Sequence, residues 1–271
     1  MLVPNFITLL AICAGLTAIR LSTEGRMDIA VYAIVFAAVL DGIDGRVARM
    51  IKGQSKFGAE LDSLADFVNF GVAPGLMLYF WQLHELGNAG WIAAMVFAIS
   101  GGLRLARFNA TMDDPNKPPF AGNYFTGVPA PAGAVTALLP IYLSFLGLVT
   151  LPAMVTAVYT LLVAFLMVSR LPVFSGKSVR MRVPPELVLP VFVCVIFFIA
   201  LLIGYPWYIL SVGSIIYLLS LPVGWKSYRD QVRAADLTAA AAADAAQAPT
   251  PAPYAPAATD ASQNDRPERL H

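Results

Sequence analysis

Four aspartates set the chemistry this sequence can do. They lie in Asp41-Gly42-Ile43-Asp44-Gly45-Arg46-Val47-Ala48-Arg49 and, further on, with Gly58 at Asp62 and Asp66. Asp41 and Asp44 are three residues apart, Asp62 and Asp66 four. On a helix either spacing places a pair on one face. Four carboxylates gathered in one place repel one another, and a bound cation removes that repulsion. Oxygen-only ligands select hard divalent ions such as Mg²⁺ or Mn²⁺. His84 and His271 are isolated, and neither Cys13 nor Cys194 has metal-ligand spacing, so nothing suggests zinc. Four carboxylates suffice for two ions, which suits phosphoryl chemistry. The alternative is that the acids pair with Arg46, Arg49, Lys52 and Lys56. Gly42, Gly45 and Ala48 leave a helix face with little side chain, open to a flat base or a diphosphate near the backbone. Close helix packing through small residues is a compatible reading of the same face.

The elements that position these residues are apolar. The chain has 271 residues, 58% hydrophobic and 13% charged, where a soluble domain carries about 25% charged residues. Long apolar runs predict eight membrane spans, near 4–21, 27–48, 60–82, 88–108, 128–147, 151–169, 187–204 and 207–222. The first lacks a positively charged start and opens on Pro4 and Asn5, so it reads as a retained helix rather than a signal peptide. Asp41 and Asp44 close the second span; Asp62 and Asp66 open the third. The short connection between them folds the two ends together as an antiparallel hairpin. An aspartate at mid-membrane costs about 2.5–3.5 kcal/mol, so a cluster of four at one interface calls for a functional explanation. The last two spans are separated only by Tyr205 and Pro206, which predicts a tight helical hairpin.

Loop charge predicts orientation. Arg46, Arg49, Lys52 and Lys56 follow the second span; Arg104, Arg107 and Lys117 end and follow the fourth; Arg170, Lys177, Arg180 and Arg182 follow the sixth; Lys226, Arg229 and Arg233 follow the eighth. Only Arg20 and Arg26 fall on the other side. The positive-inside rule then puts both termini, the basic loops and the aspartates at the cytoplasmic face. Net charge is +1, so the overall balance gives no reason to expect nucleic acid. Cys13 and Cys194 read as small buried apolar residues. From about Ala234 the composition turns to Ala and Pro, which predicts a disordered cytoplasmic tail whose polyalanine part forms helix transiently.

The fixed positions Asp41, Asp44, Gly45, Ala48, Arg49, Gly58, Asp62 and Asp66 match D-x-x-D-G-x-x-A-R-x8-G-x3-D-x3-D. In this the sequence resembles the CDP-alcohol phosphotransferase family. Pro4-Asn5-Phe6-Ile7-Thr8 also looks like the family's opening segment. Three further segments resemble the bacterial phosphatidylserine synthases of that family: Asp62 to Pro74, Arg104-Leu105-Ala106-Arg107-Phe108-Asn109, and Phe125 to Pro131. The resemblance implies an all-α, polytopic membrane bundle. Its six-helix catalytic core would occupy 1–170, a basic loop and two added helices 171–225, and the tail 226–271.

The implied reaction is displacement of CMP from CDP-diacylglycerol by serine, dependent on Mg²⁺ or Mn²⁺, with two ions. The resemblance implies Asp41, Asp44, Asp62 and Asp66 as metal ligands and Asp66 as general base. Asn5, Thr8, Gly45, Ala48, Arg49 and Gly58 would bind the CDP-lipid. Arg104 and Arg107 are candidates for the serine carboxylate or a lipid phosphate, or else membrane-interface anchors. Asn69 is a candidate for hydrogen bonding serine, or else an interhelical hydrogen bond. Lys117, Lys177, Arg180 and Arg182 are expected at anionic headgroups. The resemblance further implies a homodimer in the bacterial inner (cytoplasmic) membrane. A sister enzyme taking glycerol 3-phosphate, inositol phosphate or choline stays open, and more remotely a divalent-cation transporter.

Overall fold

The structure, a computed structural model, describes residues 2–51, 55–110, 124–169, 171–174 and 185–247. Residues Met1–Asp230 form one compact unit and Gln231–His271 a second. Helix α1 (Leu2–Thr23) ends at a tight reversal. There Gly25 takes φ +76°, and the N–H groups of Gly25 and Arg26 donate to Ser22 O and Leu21 O at 3.2 and 2.9 Å. This left-handed glycine closure satisfies the last carbonyls of the helix. It sends α2 (Met27–Met50) back along α1. Ala30, Val31, Ile34, Ala37 and Leu40 make the buried stripe of α2. The same stripe, continued by three and four residues, reaches Asp41 and Asp44. Both carboxylates therefore sit on the face turned toward the bundle rather than toward lipid.

The third span is one continuous rod with a defect in it. Helix α3 (Lys56–Asp66) starts at Ser55, whose Oγ accepts from the Gly58 N–H at 3.0 Å. A π-helical turn covers Phe67–Val72, and α4 runs from Ala73 to Trp81. Within this turn the Ala73 N–H reaches back to Val68 O. Pro74 cannot donate to the carbonyl four residues before it and its ring crowds that carbonyl, which accounts for a widened turn just ahead of it. Such π turns occur often at functional sites, and this one begins directly after Asp66.

Helix α5 (Asn88–Ala110) buries Gly90, Ala93, Ala94, Phe97, Gly101, Arg104 and Leu105, again one stripe. A Cβ on Gly101 would lie 3.0 Å from Gly71 Cα, so α5 and the π turn meet through two glycines. Helices α6 (Ala130–Ala137) and α7 (Leu139–Phe145) break at Leu138, and α8 covers Ala153–Val168. The core holds Phe70, Phe97, Met77, Leu78, Ile34 and Tyr142. Helix α9 covers Pro185–Gly204 and α10 covers Pro206–Gln247.

Pro4–Thr23, Lys56–Trp81, Asn88–Ala110, Leu187–Gly204 and Pro206–Gln231 are long and apolar enough to cross a membrane; Ala130–Phe145 and Ala153–Val168 are shorter apolar helices. Large apolar side chains such as Phe6, Phe36, Ile99 and Phe165 are exposed, as lipid-facing surface requires. This is an all-α polytopic membrane protein.

Several details depart from the sequence-based expectations. A short antiparallel ribbon pairs β1 (Tyr124–Thr126) with β2 (Pro172–Phe174), with Phe125 opposite Val173. Three-residue strands fall below what alternation can reveal. Cys13 and Cys194 are exposed, not buried, since an apolar run in lipid has an outward face as well as an inward one. Only Tyr205 separates α9 from α10, yet α9 is exposed from Leu187 to Ala200 instead of packing as half of a tight hairpin. The expected span 207–222 opens α10, which continues to Gln247, past 226 where the tail was expected. Its alanines have the highest helix propensity. Lys52, Lys117, Arg170, Lys177, Arg180, Arg182 and residues 248–271 lie outside the described residues.

Candidate active site

The end of α2 and the start of α3 meet as the sequence spacing requires. Asp41, Asp44 and Asp62 each offer a carboxylate oxygen, and these oxygens lie within 4.8 Å of one another. Asp44 is 3% exposed, and Thr8 Oγ1 of α1 donates to its Oδ2 at 2.8 Å. Asp66 lies one helical turn deeper, within hydrogen-bonding reach of Asp41 and in the field of Arg104. Asn109 Nδ2 at the end of α5 donates to Ser63 Oγ of α3 at 3.0 Å. The bundle thus brings the ends of α2 and α5 and the start of α3 together around these acids.

A divalent cation fits this donor set. Among the described residues, Asp44 Oδ1 and Asp66 Oδ1 are buried without a hydrogen-bond partner. Buried carboxylate oxygens are rarely left so. The ligand atoms are all oxygen, with no imidazole or thiolate among them, which favours a hard ion. The competing arrangement, in which basic side chains neutralise the acids, is not met by Arg46 or Lys56. Among the described residues the one ion pair is Arg20–Glu24. The side chains of Ala48 and Arg49, and all of Lys52, lie outside the described residues.

The residues expected to hold a nucleotide lie around the same acids. A Cβ on Gly58 would come within 2.9 Å of Asn5 Oδ1 and 3.2 Å of Ser55 Oγ, so α1 and the start of α3 approach closely at that glycine. Thr8 is tied to Asp44 as above. Gly42 and Gly45 face open space: a Cβ at either would meet nothing within 4 Å. Among the described residues of this chain, no neighbouring helix fills the face at Gly42 and Gly45.

The acceptor candidates separate. Arg104 is 8% exposed, on the inward stripe of α5, with its guanidinium 5.6 Å from the Phe108 ring centroid. Its Nε has no hydrogen-bond partner among the described residues. This placement is not that of an interface anchor. Arg107 is half-buried and donates from Nη1 to Val168 O, the last carbonyl of α8, where a cation suits the helix end. Asn69 is 1% exposed, on the π turn, against Gly15 of α1; its Oδ1 has no partner among the described residues. Tyr217 of α10 is half-buried, and its hydroxyl has no hydrogen-bond partner among the described residues. It lies on the inward stripe Leu210, Ser211, Ser214, Tyr217, Leu221, which burial in the structure defines.

Comparison with known proteins agrees with this geometry. Residues 1–169 match the CDP-alcohol phosphatidyltransferase family, and 186–222 match a second family described as CDP-alcohol phosphatidyltransferase 2. The chain belongs to the CDP-alcohol phosphatidyltransferase family. Among relatives named CDP-diacylglycerol–serine O-phosphatidyltransferase, one from Mycobacterium leprae is 38% identical over 223 residues, covering 82% of this chain and 73% of that protein. One from Helicobacter pylori is 34% identical over 237 residues, covering 83% and 91%. One from Mycobacterium bovis is 50% identical over 137 residues, where the match covers 51% of this chain and about half, 48%, of that protein.

Proposed function

We propose that this chain is a CDP-diacylglycerol–serine O-phosphatidyltransferase, which moves the phosphatidyl group of CDP-diacylglycerol to the hydroxyl of L-serine and releases CMP. The observation that carries the reading is the convergence of the Asp41, Asp44 and Asp62 oxygens within 4.8 Å, beside Asp66, in a chain whose relatives bear that name.

Asp41, Asp44 and Asp62 would hold one divalent cation, Mg²⁺ or Mn²⁺, and Asp66 would share a second. Such ions, when bound, neutralise the diphosphate and the charge that collects on departing CMP. Asn5, Thr8, Gly45, Ala48, Arg49 and Gly58 border the CDP moiety, and the open face at Gly42 and Gly45 lets it approach the α2 backbone. Arg104 receives the serine carboxylate through its planar fork. Asn69 orients the amino alcohol. Arg107, engaged with the end of α8, stands at the rim. Asp66 takes the proton of the serine hydroxyl, for which hydrogen-bond reach is the requirement. The serine oxygen then forms a bond to the lipid phosphorus as the bond from that phosphorus to CMP breaks, and CMP keeps the electron pair. Holding both reactants in one place supplies much of the acceleration.

Positive-inside charge supports placing this site and both termini at the cytoplasmic face of a bacterial inner membrane. The family resemblance supports a homodimer. A transporter is disfavoured because the acids gather at helix ends rather than midway along the bundle. The test is CMP release by purified protein given CDP-diacylglycerol, Mn²⁺ or Mg²⁺, and a panel of alcohols. Serine alone among them is expected to sustain release. Release only with glycerol 3-phosphate, inositol phosphate or choline would overturn serine as acceptor.

A further inference from the structure

We propose that the apolar groove between α2 and the junction of α9 and α10 seats one acyl chain of CDP-diacylglycerol. This deepens the reading above and rests on it. Val35, Phe36 and Val39 of α2 form one side of the groove; Leu202 and Ile203 of α9 and Leu210 of α10 form the other. Its volume is about 480 Å³, and no charged side chain lines it. Phe36 and Val39 are each 50% exposed and Ile203 is 72% exposed, so the groove opens toward the surrounding lipid. An unfilled apolar groove loses dispersion contacts, and a bilayer supplies acyl chains that restore them.

The place of the groove on α2 identifies which lipid. At 3.6 residues per turn, Val35, Val39, Gly42 and Arg46 fall on one stripe. Asp41 lies on another face, and Gly45 stands between. It is four residues from Asp41 and three from Gly42, a surface neighbour of both. A Cβ on Gly42 or Gly45 would meet nothing within 4 Å, so the surface between the acids and the groove is open. Arg46 is exposed. From Val35 to Arg46 the stripe passes from apolar side chains through glycine to a cation, the order of a phospholipid from chain to phosphate. Depth agrees as well. Tyr32, the lining residue farthest from the acids along α2, precedes Asp41 by nine residues, about 14 Å of helix rise. One leaflet's share of the hydrocarbon core is about 15 Å. A lipid held by its diphosphate at Asp41, Asp44 and Asp62 would therefore bring one chain alongside the groove, and a bulk phospholipid lacks that anchor. Helices α9 and α10 would then serve lipid binding, while the chemistry stays with α2 and α3.

The experiment gives the full-length protein, in detergent micelles, CDP-diacylglycerol with a diazirine at the end of one acyl chain. After irradiation, peptide mass spectrometry should find the label on the groove residues Tyr32, Val35, Phe36, Leu202 or Ile203. Unlabelled CDP-diacylglycerol should suppress that labelling at concentrations where phosphatidylglycerol of the same chains does not. Equal suppression by the two lipids would give the groove to bulk lipid, and label confined to other residues would leave it without a chain; either overturns the proposal. A second readout is kinetic. Val35→Trp and Leu202→Trp fill the groove from opposite sides, and overpacking predicts that each raises the KM for dioleoyl-CDP-diacylglycerol about tenfold. The KM for dihexanoyl-CDP-diacylglycerol, whose chains end short of Val35, should hold. An equal rise with both substrates, or no rise in either variant, contradicts the assignment. Groove labelling in a protein that releases CMP with another alcohol but not with serine would instead overturn the parent reading and leave the groove in place.

Discussion

The α2–α3 side of the site concentrates negative charge, whereas α5 brings one buried cation, Arg104. On the first side three carboxylate oxygens lie within 4.8 Å of one another, with Thr8 bonded to one of the acids. On α5, Arg104 is buried in the field of Asp66, and its Nε has no hydrogen-bond partner among the described residues. The acids come from helix ends joined by a short connection, so local spacing alone brings them together. Arg104 comes from α5, further along the chain, so only the finished bundle brings it into the field of Asp66. On the function proposed above, the acids would hold cations at a diphosphate and Arg104 would help choose the alcohol.

If that division holds, damage to the two sides should differ in kind and in size. Asp62→Ala or Asp66→Ala should lower kcat about 10³-fold or more, since several kcal/mol of charge stabilisation is lost. Folding should be retained, as judged by monodispersity in detergent. Full turnover in either variant would remove the cation site from the account. Chelation followed by Mn²⁺ resupply should reproduce and then reverse the same loss. Arg104→Ala should cost roughly 100-fold in kcat/KM for serine, as truncating a buried charge partner does, with the CDP-diacylglycerol KM little changed. A loss shared equally by both substrates would mean that Arg104 does not belong to a separate acceptor wall. Thr8→Val removes the hydrogen bond that orients Asp44 and should weaken Mn²⁺ affinity about tenfold, measured by the Mn²⁺ dependence of CMP release. The glycines give the smallest effects. Gly42→Ala and Gly45→Ala meet no protein atom, and each should raise stability by roughly 0.5–1 kcal/mol in a helix. Gly45→Ala alone should also raise the CDP-diacylglycerol KM; equal KM values in the two variants would move the nucleotide off the Gly45 face.

The acidic wall was readable in the sequence because its spacing is helical and its position, at two neighbouring helix ends, follows from hydropathy. Arg104 was readable as a candidate, but its place on the inward stripe with Gly90, Ala94, Phe97 and Gly101 emerges only once α5 is packed. The inward placing of Tyr217 was not readable: inside a long apolar run, a tyrosine looks the same whether it faces lipid or core. The π turn at Phe67–Val72 also escaped, because Pro74 signals a disturbance without fixing its form. The exposure of Cys13 and Cys194 escaped for a related reason, since both faces of a membrane helix are apolar. The extension of α10 to Gln247 reflects alanine's preference for helix, which outweighed a composition that reads as tail.

Mn²⁺ titration of the purified protein, followed by the loss of its free-ion EPR signal, bears on the cation pocket without relying on catalysis. Wild-type protein with CDP-diacylglycerol should take up two Mn²⁺ per chain, and a variant with Asp41, Asp44 and Asp62 all changed to Ala should take up none at the same concentrations. Equal uptake by the two proteins would contradict the assignment of these aspartates.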